Sequence, residues 1–538
     1  MWNVSLLRPT SILKSALTTL LDNCKSMPEL KQIHGLMIAL GLSQDEHFMS
    51  KILSFLALSD SGDINYSCWV LSSLVNPQIF HWNTVIRGYS KSKNPNRSVS
   101  VFIKMLNAGA LPDYLTFPFL VKASSRILKR ELGCSVHAHI HKRGFESDMF
   151  VSNSLIHMYA SFGHILFARK VFDRMPLYNL VSWNSIVDGY AKCGDMESAR
   201  KLFDLMPERC VLSWSCLIDG YVKNGDYGDA LTVFDEMCAS GSTPNEVTMV
   251  SVLCACAHLG ALDKGRTMHH YLIENGLPLT VILHTSLVDM YAKCGAIFMA
   301  IDVFRSYRVG PGDVLLWNTM LGGLASHGLV NESLNLFKEM ISTCVKPDEI
   351  TYLSLLHACA HGGLVNEAWY LFGCLGAQGT NTTIEHYACM VDVLARSGQT
   401  LEAYRFLSQM PIEPTASMLG ALLNGCMNHG KLELAEIVGK KLVKMEPHHD
   451  GRYVGLANVY AANLQWDEAR SMRQTMERMG VRKSPGYSFV EIDHTLHRFI
   501  AHDKSHPSYE VICMMLSFIG SQMRSINNQE FYFLFDQF

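Results

Sequence analysis

A tryptophan followed by Asn or Ser returns in phase along this chain, as Phe80-His81-Trp82-Asn83, Val181-Ser182-Trp183-Asn184, Leu212-Ser213-Trp214-Ser215 and Leu315-Leu316-Trp317-Asn318. The intervals between the tryptophans are 101, 31 and 103 residues, which resolve into units of 35, 35 and 31 to 33. Self-similarity at such a period means that one supersecondary unit is repeated. No unit can bury its apolar face alone, so stacked neighbours must supply the core. Function in such a chain is carried by what changes between units.

Val314 to Asp348 illustrates one unit. Leu316, Met320, Leu321 and Leu324 recur at helical spacing, Ser326-His327-Gly328 breaks the pattern, and Leu334, Leu336, Phe337 and Met340 resume it. The pattern predicts a helix, a tight turn and a second helix. Gly163, Gly194, Gly225, Gly295, Gly328, Gly398 and Gly430 fall at that turn, where a helix stops on a residue with positive φ. Pro112, Pro244 and Pro347 close the second helix one residue before the unit ends. Phe102, Phe172, Phe203, Phe234, Phe304, Phe337 and Phe372 share one position in their units. Met105, Met175, Met206, Met237 and Met340 follow three residues later, on the same helical face. This stripe is read as core, and stacking it predicts an all-α, right-handed α-solenoid superhelix with a concave inner surface.

Composition narrows the partners. The formal charge of −3 over 538 residues excludes a globally basic nucleic-acid binder, so any nucleic acid must be held by base contacts and a local field. No apolar stretch approaches the ~18 residues that span a bilayer, and the best candidate, Met249 to Leu262, is short and contains His258. A membrane is therefore not among the expected partners. Of the 16 cysteines, Cys256, Cys359 and Cys426 share one repeat position, and Cys193 and Cys294 share another, each in Tyr-Ala-Lys-Cys-Gly. Shared positions are packing positions, which reads these as free thiols in a reducing compartment. No Cys-x-x-Cys pair exists, which removes zinc-ribbon and redox readings; no metal and no cofactor are expected.

Together these residues resemble the pentatricopeptide repeat family, in the plant subclass whose units alternate in length. The units parse as 14–45, 46–78, 79–113, 114–148, 149–179, 180–210, 211–245, 246–280, 281–313, 314–348, 349–383 and 384–415, about twelve in all. Long units carry Gly-Cys-Ser-Val-His at 133–137 and Gly-Arg-Thr-Met-His at 265–269; short units carry Asp-Met-Tyr-Ala-Lys-Cys-Gly at 289–295. Residues 1–13 form a short leading segment with Arg8 and no acid, weakly similar to an organelle transit sequence. From Ala416 to Lys483 the chain resembles the degenerate E motifs of this subclass, opening with Gly420-Ala421-Leu422-Leu423 and marked later by Asn458-Val459-Tyr460-Ala461. Residues 484–515, with Ser484-Pro485-Gly486-Tyr487-Ser488 and Asp503-Lys504-Ser505-His506-Pro507, resemble the following E+ segment. Residues 516–538 diverge and end in Phe531-Tyr532-Phe533-Leu534-Phe535-Asp536-Gln537-Phe538, read as a disordered or poorly conforming end in preference to a partner-binding patch.

The resemblance implies how RNA is read. One base per helical repeat, recognised by a few side chains, suits single-stranded RNA, whose splayed bases expose their pairing edges. In this family the fifth residue of the first helix acts with the last residue of the unit, and an apolar second residue flanks the base. Phe80, Phe150, Val181, Leu212, Ile282 and Leu315 occupy the second position. Asn83 with Asp113, and Asn318 with Asp348, resemble uracil readers; Ser215 with Asn245 resembles an adenine reader, and Thr285 with Asp313 a guanine reader. Asn153 with Asn179 implies a pyrimidine, as does Asn184 with Cys210, where Cys210 replaces the usual polar residue. Pro118, Val250 and Leu353 in the long units form no such hydrogen bond, so their bases are expected to go unread. Ala388 with Thr415 in the last short unit is atypical.

Relatives that continue further carry a zinc-dependent cytidine deaminase, written His-x-Glu and Pro-Cys-x-x-Cys. None of the 23 histidines here is followed two residues later by Glu, so no catalytic residue is expected. The leading expectation is a site-recognition factor for C-to-U editing of organellar transcripts. Its partners are single-stranded organellar RNA and a DYW-type deaminase with its editing cofactors, recruited in trans through the C-terminal extension. A splicing, stability or translation factor, and a protein-interaction scaffold, stay open as alternatives. The compartment is mitochondrion or chloroplast, with mitochondrion preferred.

Overall fold

The computed structural model describes residues 11–307, 313–377, 382–483, 486–492, 495–501 and 503–535. The leading segment therefore lies almost wholly outside the described residues, and so does Ser484-Pro485. The chain divides into two compact bodies, Met1–Thr248 and Met249–Phe538. Each is an α-solenoid of stacked helical hairpins, the fold class that the repeat pattern implies. The hairpin Val314–Ser326 and Val330–Ser342 is representative: Gly328 turns it at φ 69°, and Gly194 and Gly225 do the same at 81° and 85°.

The recurring aromatics are core. Where the fourth position of the next unit is aromatic, the shared Phe of the second helix meets it edge to face. Phe203 lies 4.7 Å from Trp214, Phe304 5.1 Å from Trp317, Phe172 5.1 Å from Trp183 and Phe372 5.3 Å from Tyr387, centroid to centroid. Such contacts add about 0.5–1.5 kcal/mol beyond the apolar area they bury. The tryptophans that mark the repeat are thus the joints between hairpins. Met105, Met175, Met206, Met237 and Met340 are buried beneath them.

Consecutive first helices pack side by side, and glycine makes this approach possible. A Cβ on Gly220 would stand 2.7 Å from the Cβ of Ala191, and one on Gly425 would stand 2.6 Å from the Ala395 carbonyl oxygen. The joint is also hydrogen-bonded. At the end of several first helices a side chain donates back to a carbonyl near the end of the preceding first helix: Asn224 Nδ2 to Ala191 at 2.9 Å, Cys193 Sγ to Ala160 at 3.9 Å, Cys294 Sγ to Cys256 at 3.5 Å. These carbonyls belong to the last turn of a helix, where the regular ladder of backbone bonds runs out, which explains why a small donor recurs there. Cys256, Cys359 and Cys426 are fully buried, and the cysteines are free thiols.

Past residue 415, two further hairpins follow, Ala416–Asn428 with Leu432–Met445, and Asp450–Ala462 with Trp466–Arg478, around Leu419, Leu422, Val438, Leu442 and Leu456. Then the helical rule is broken. Strand β1, Tyr487–Ile492, pairs antiparallel with β2, Thr495–Ile500, Tyr487 opposite Ile500. A helix, Tyr509–Phe535, ends the described chain. The aromatic run is therefore helical through Phe535 and not an irregular end; Asp536 to Phe538 lie outside the described residues. No helix among the described residues is long and apolar enough to cross a membrane.

Candidate nucleic-acid interface

The last residue of one unit is also the cap of the next first helix, so its side chain has two duties. Asp348 Oδ1 accepts from the Thr351 N–H at 2.9 Å, capping Glu349–Gly362, and from Asn318 Nδ2 at 2.9 Å in the preceding unit. Asn83 and Asp113 repeat this arrangement: Asn83 Nδ2 donates to Asp113 Oδ1 at 2.9 Å, and the Thr116 N–H donates to the same oxygen at 2.9 Å. Ser215 lies 3.3 Å from Asn245 Oδ1, which accepts the Thr248 N–H at 2.9 Å. The fifth and last residues are thus brought together in all three of these 35-residue units. Asn83, Ser215 and Asn318 are buried.

Short units differ. Asn179 Oδ1 accepts from the Ser182 N–H and hydroxyl, each at 2.9 Å, while the buried Oδ1 of Asn153 has no hydrogen-bond partner. Asn153 and Asn179 line one cavity of about 430 Å³ with Pro118, Lys122, Phe150 and Val181. Asn184 Nδ2 reaches Cys210 Sγ at 3.9 Å, and its Oδ1 is likewise unpartnered. Burial opposes a Cys210 thiolate, but hydrogen bonds from Ser213, the Leu212 N–H and Asn184 bring its pKa below that of an ordinary thiol. Cys210 therefore stands as an acceptor where other units place a carboxylate or amide. The Thr285 hydroxyl donates to the Val281 carbonyl at 2.7 Å, and Asp313 precedes Val314–Ser326.

The second-position side chains lie open to solvent. Phe80, Phe150, Val181, Leu212, Ile282 and Leu315 are 53–70% exposed, although neighbours on the same helices are buried. One and two turns beyond the fifth residue run acid–base pairs: Asp188 with Lys192 and Asp219 with Lys223 at 2.5 Å, Asp289 with Lys293 and Asp392 with Arg396 at 2.8 Å. A second cavity, of about 560 Å³, gathers Asp289, Lys293, Asn318, Leu353, His357 and Ala388. Sequence reasoning missed Thr116, Thr248 and Thr351, which are buried and touch both members of their pairs. The signal was present as Asp/Asn-x-x-Thr, the spacing at which a helix cap meets its third residue.

Comparison with known proteins identifies the family and the fold. An Arabidopsis thaliana pentatricopeptide repeat-containing protein is 57% identical over 509 residues, covering 94% of this chain and 95% of the relative. The chain belongs to the pentatricopeptide repeat family. PPR repeats match at residues 80–109, 150–180, 181–211, 282–308, 350–379 and 385–413, and the PPR repeat family matches 209–258 and 312–361. The E motif matches 429–491, so this plant PPR protein carries a C-terminal E extension. Other Arabidopsis thaliana relatives include a mitochondrial PPR protein, 35% identical over 96% of this chain and 91% of its own length. A chloroplastic one is 33% identical over 93% of this chain and 81% of its own. The crystal structure of PPR10 from maize shares the fold, with a TM-score of 0.55 at 18% identity, covering 88% of this chain and 79% of that one.

Proposed function

We propose that this PPR protein binds single-stranded organellar RNA one base per unit and marks cytidines for C-to-U editing by a deaminase supplied in trans. The observation that carries the RNA reading is the in-phase pairing of fifth and last residues, at Asn83–Asp113, Ser215–Asn245 and Asn318–Asp348, each beside an exposed apolar side chain. Hydrogen bonding gives the pair its discrimination, and a ring or branched chain sandwiches the base, a contact worth about 1–3 kcal/mol that tolerates any base. Lys192, Lys223, Lys293 and Arg396 exchange an Asp partner for a phosphate, so binding proceeds although the net charge is −3. In this reading Asn153 with Asn179, and Asn184 with Cys210, take pyrimidines, Thr285 with Asp313 takes guanine, and the long units take any base.

The E motif supports the editing role, since the sequence carries no His-x-Glu or Cys-x-x-Cys of its own. The repeat array of 14–415 then holds the RNA, while the E segment 416–483 and the E+-like segment 484–515 engage the deaminase and its cofactors. Mitochondrial and chloroplastic relatives support an organellar site of action, of which we favour the mitochondrion. Sequencing all mitochondrial and plastid transcripts from a loss-of-function plant tests this. Loss of conversion at one or a few cytidines preceded by the deduced base pattern is the expected result. Intact editing at every site, with altered splicing or abundance, overturns it.

A further inference from the structure

Five of the pairs have a third partner at the third position of the following unit, and its reach differs among them. After units 79–113, 211–245 and 314–348 a threonine hydroxyl lies against the reader itself: Thr116 Oγ1 donates to Asn83 Oδ1 at 2.7 Å, Thr351 Oγ1 donates to Asn318 Oδ1 at 2.6 Å, and Thr248 Oγ1 is 2.7 Å from the Ser215 hydroxyl. The same hydroxyls lie 2.8, 3.0 and 2.9 Å from the cap oxygens of Asp113, Asp348 and Asn245, so each bridges reader and cap. In the 31-residue units 149–179 and 180–210 the equivalent serine reaches the cap and not the reader. The Ser182 hydroxyl donates to Asn179 Oδ1 at 2.9 Å, and the Ser213 hydroxyl lies 3.4 Å from Cys210 Sγ. Both readers are then left with an amide oxygen that is buried and unpartnered, on Asn153 and on Asn184.

The two ends of an amide are chemically opposite, and the neighbours decide which way it faces. A carboxylate only accepts, so Asp113 and Asp348 hold the Nδ2 of Asn83 and Asn318, while the threonine hydroxyl holds the Oδ1. The amide is pinned at both ends and keeps one Nδ2 hydrogen uncommitted. That hydrogen suits a base edge that presents a carbonyl, as uracil does, and opposes the amino group that cytosine presents there. Asn153 and Asn184 have nothing on the oxygen to hold them. Half a turn about the terminal torsion exchanges donor for acceptor, and the buried orphan oxygen gains by finding a donor.

We propose that the third-position threonines Thr116 and Thr351 are specificity-determining residues that lock the reader amide for uracil, whereas the unlocked Asn153 and Asn184 accept uracil and cytosine alike. The proposal rests on the RNA reading above and adds a residue to it. Thr116 and Thr351 are positioning residues, acting on the base through Asn83 and Asn318.

The test uses the full chain and RNAs that carry U or C at one assigned base, with the U/C ratio of Kd values as the readout. The wild type is expected to favour U roughly five- to tenfold at the Asn83 and Asn318 bases, and by less than about twofold at the Asn153 and Asn184 bases. Thr116→Val removes the hydroxyl but keeps the branched shape; it is expected to bring the ratio below about twofold at the Asn83 base only. Thr351→Val does the same at the Asn318 base only, so each variant is the other's control for folding, because a general loss of structure weakens binding to U and C RNAs equally. Unchanged ratios in both variants, with a discriminating wild type, overturn the lock and leave the RNA reading intact. A wild type that distinguishes no base overturns both.

Discussion

Replacing Asp348 by Ala removes one carboxylate from two structures at once. The side chain caps Glu349–Gly362 through the Thr351 N–H and accepts from Asn318 Nδ2, which is otherwise buried. Loss of an N-cap costs about 0.5–2 kcal/mol, and leaving a buried donor unpaired costs about 1–3 kcal/mol. The amide recovers part of this by turning toward solvent or Thr351, so the expected loss is about 2 kcal/mol. In a solenoid that loss is local, because each hairpin is coupled only to its neighbours. Hydrogen exchange read by mass spectrometry on peptides from 349–362 is therefore the assay. At ~1.4 kcal/mol per factor of ten, exchange there should quicken roughly 30-fold, while Ile384–Arg396 changes much less. Asp348→Asn keeps the accepting oxygen, as Asn245 does for Thr248, and should stay within about threefold of wild type. Exchange in Asp348→Ala within about twofold of wild type, or equal damage from Ala and Asn, would refute this account of the joint.

Thr285→Asn should move the preference at one base from guanine toward a pyrimidine, at roughly 1–3 kcal/mol on the original site; unchanged binding to both RNAs in a mobility-shift titration removes Thr285 from the readers. Acid should weaken the long–short joints. Burial lowers the pKa of His137, against the pull of Glu146 at 3.4 Å, and of His269; their rings meet Tyr159 and Tyr291 at 2.6 and 3.0 Å, and both hold a proton less readily when folded. The unfolded imidazole takes up its proton first, near 6.5, so stability is whole above that pH and falls as the pH drops below it. His269→Phe, the residue most units carry there, should flatten the fall in Tm between about pH 7.5 and 5.5; an undiminished slope counts against it.

Much of the fold was legible because it is local or periodic. The Gly at each turn is needed for a left-handed residue wherever the helix ends, and the Phe and Met stripe follows from spacing on one helix. The strands Tyr487–Ile492 and Thr495–Ile500 were not legible, since two short apolar runs inside a helical array read as more of the same until their pairing is seen. The helix Tyr509–Phe535 was obscured for a related reason: an aromatic-rich run with no turn signal is ambiguous between helix and irregular chain.

For the candidate site the division is sharper. From sequence alone came the phase of the repeat and the positions of the fifth and last residues of each unit, because each is set by neighbours along the chain. Which atoms meet was decided only by stacking. Thr116, Thr248 and Thr351 each stand 33 residues beyond the reader they touch, on the next hairpin. Whether that hydroxyl reaches the preceding unit or only its own cap is settled where one hairpin packs on the last. After units 79–113 and 314–348 it reaches the preceding amide, so Asn83 and Asn318 are held at both ends, while Asn153 and Asn184 in the 31-residue units keep an unpartnered oxygen.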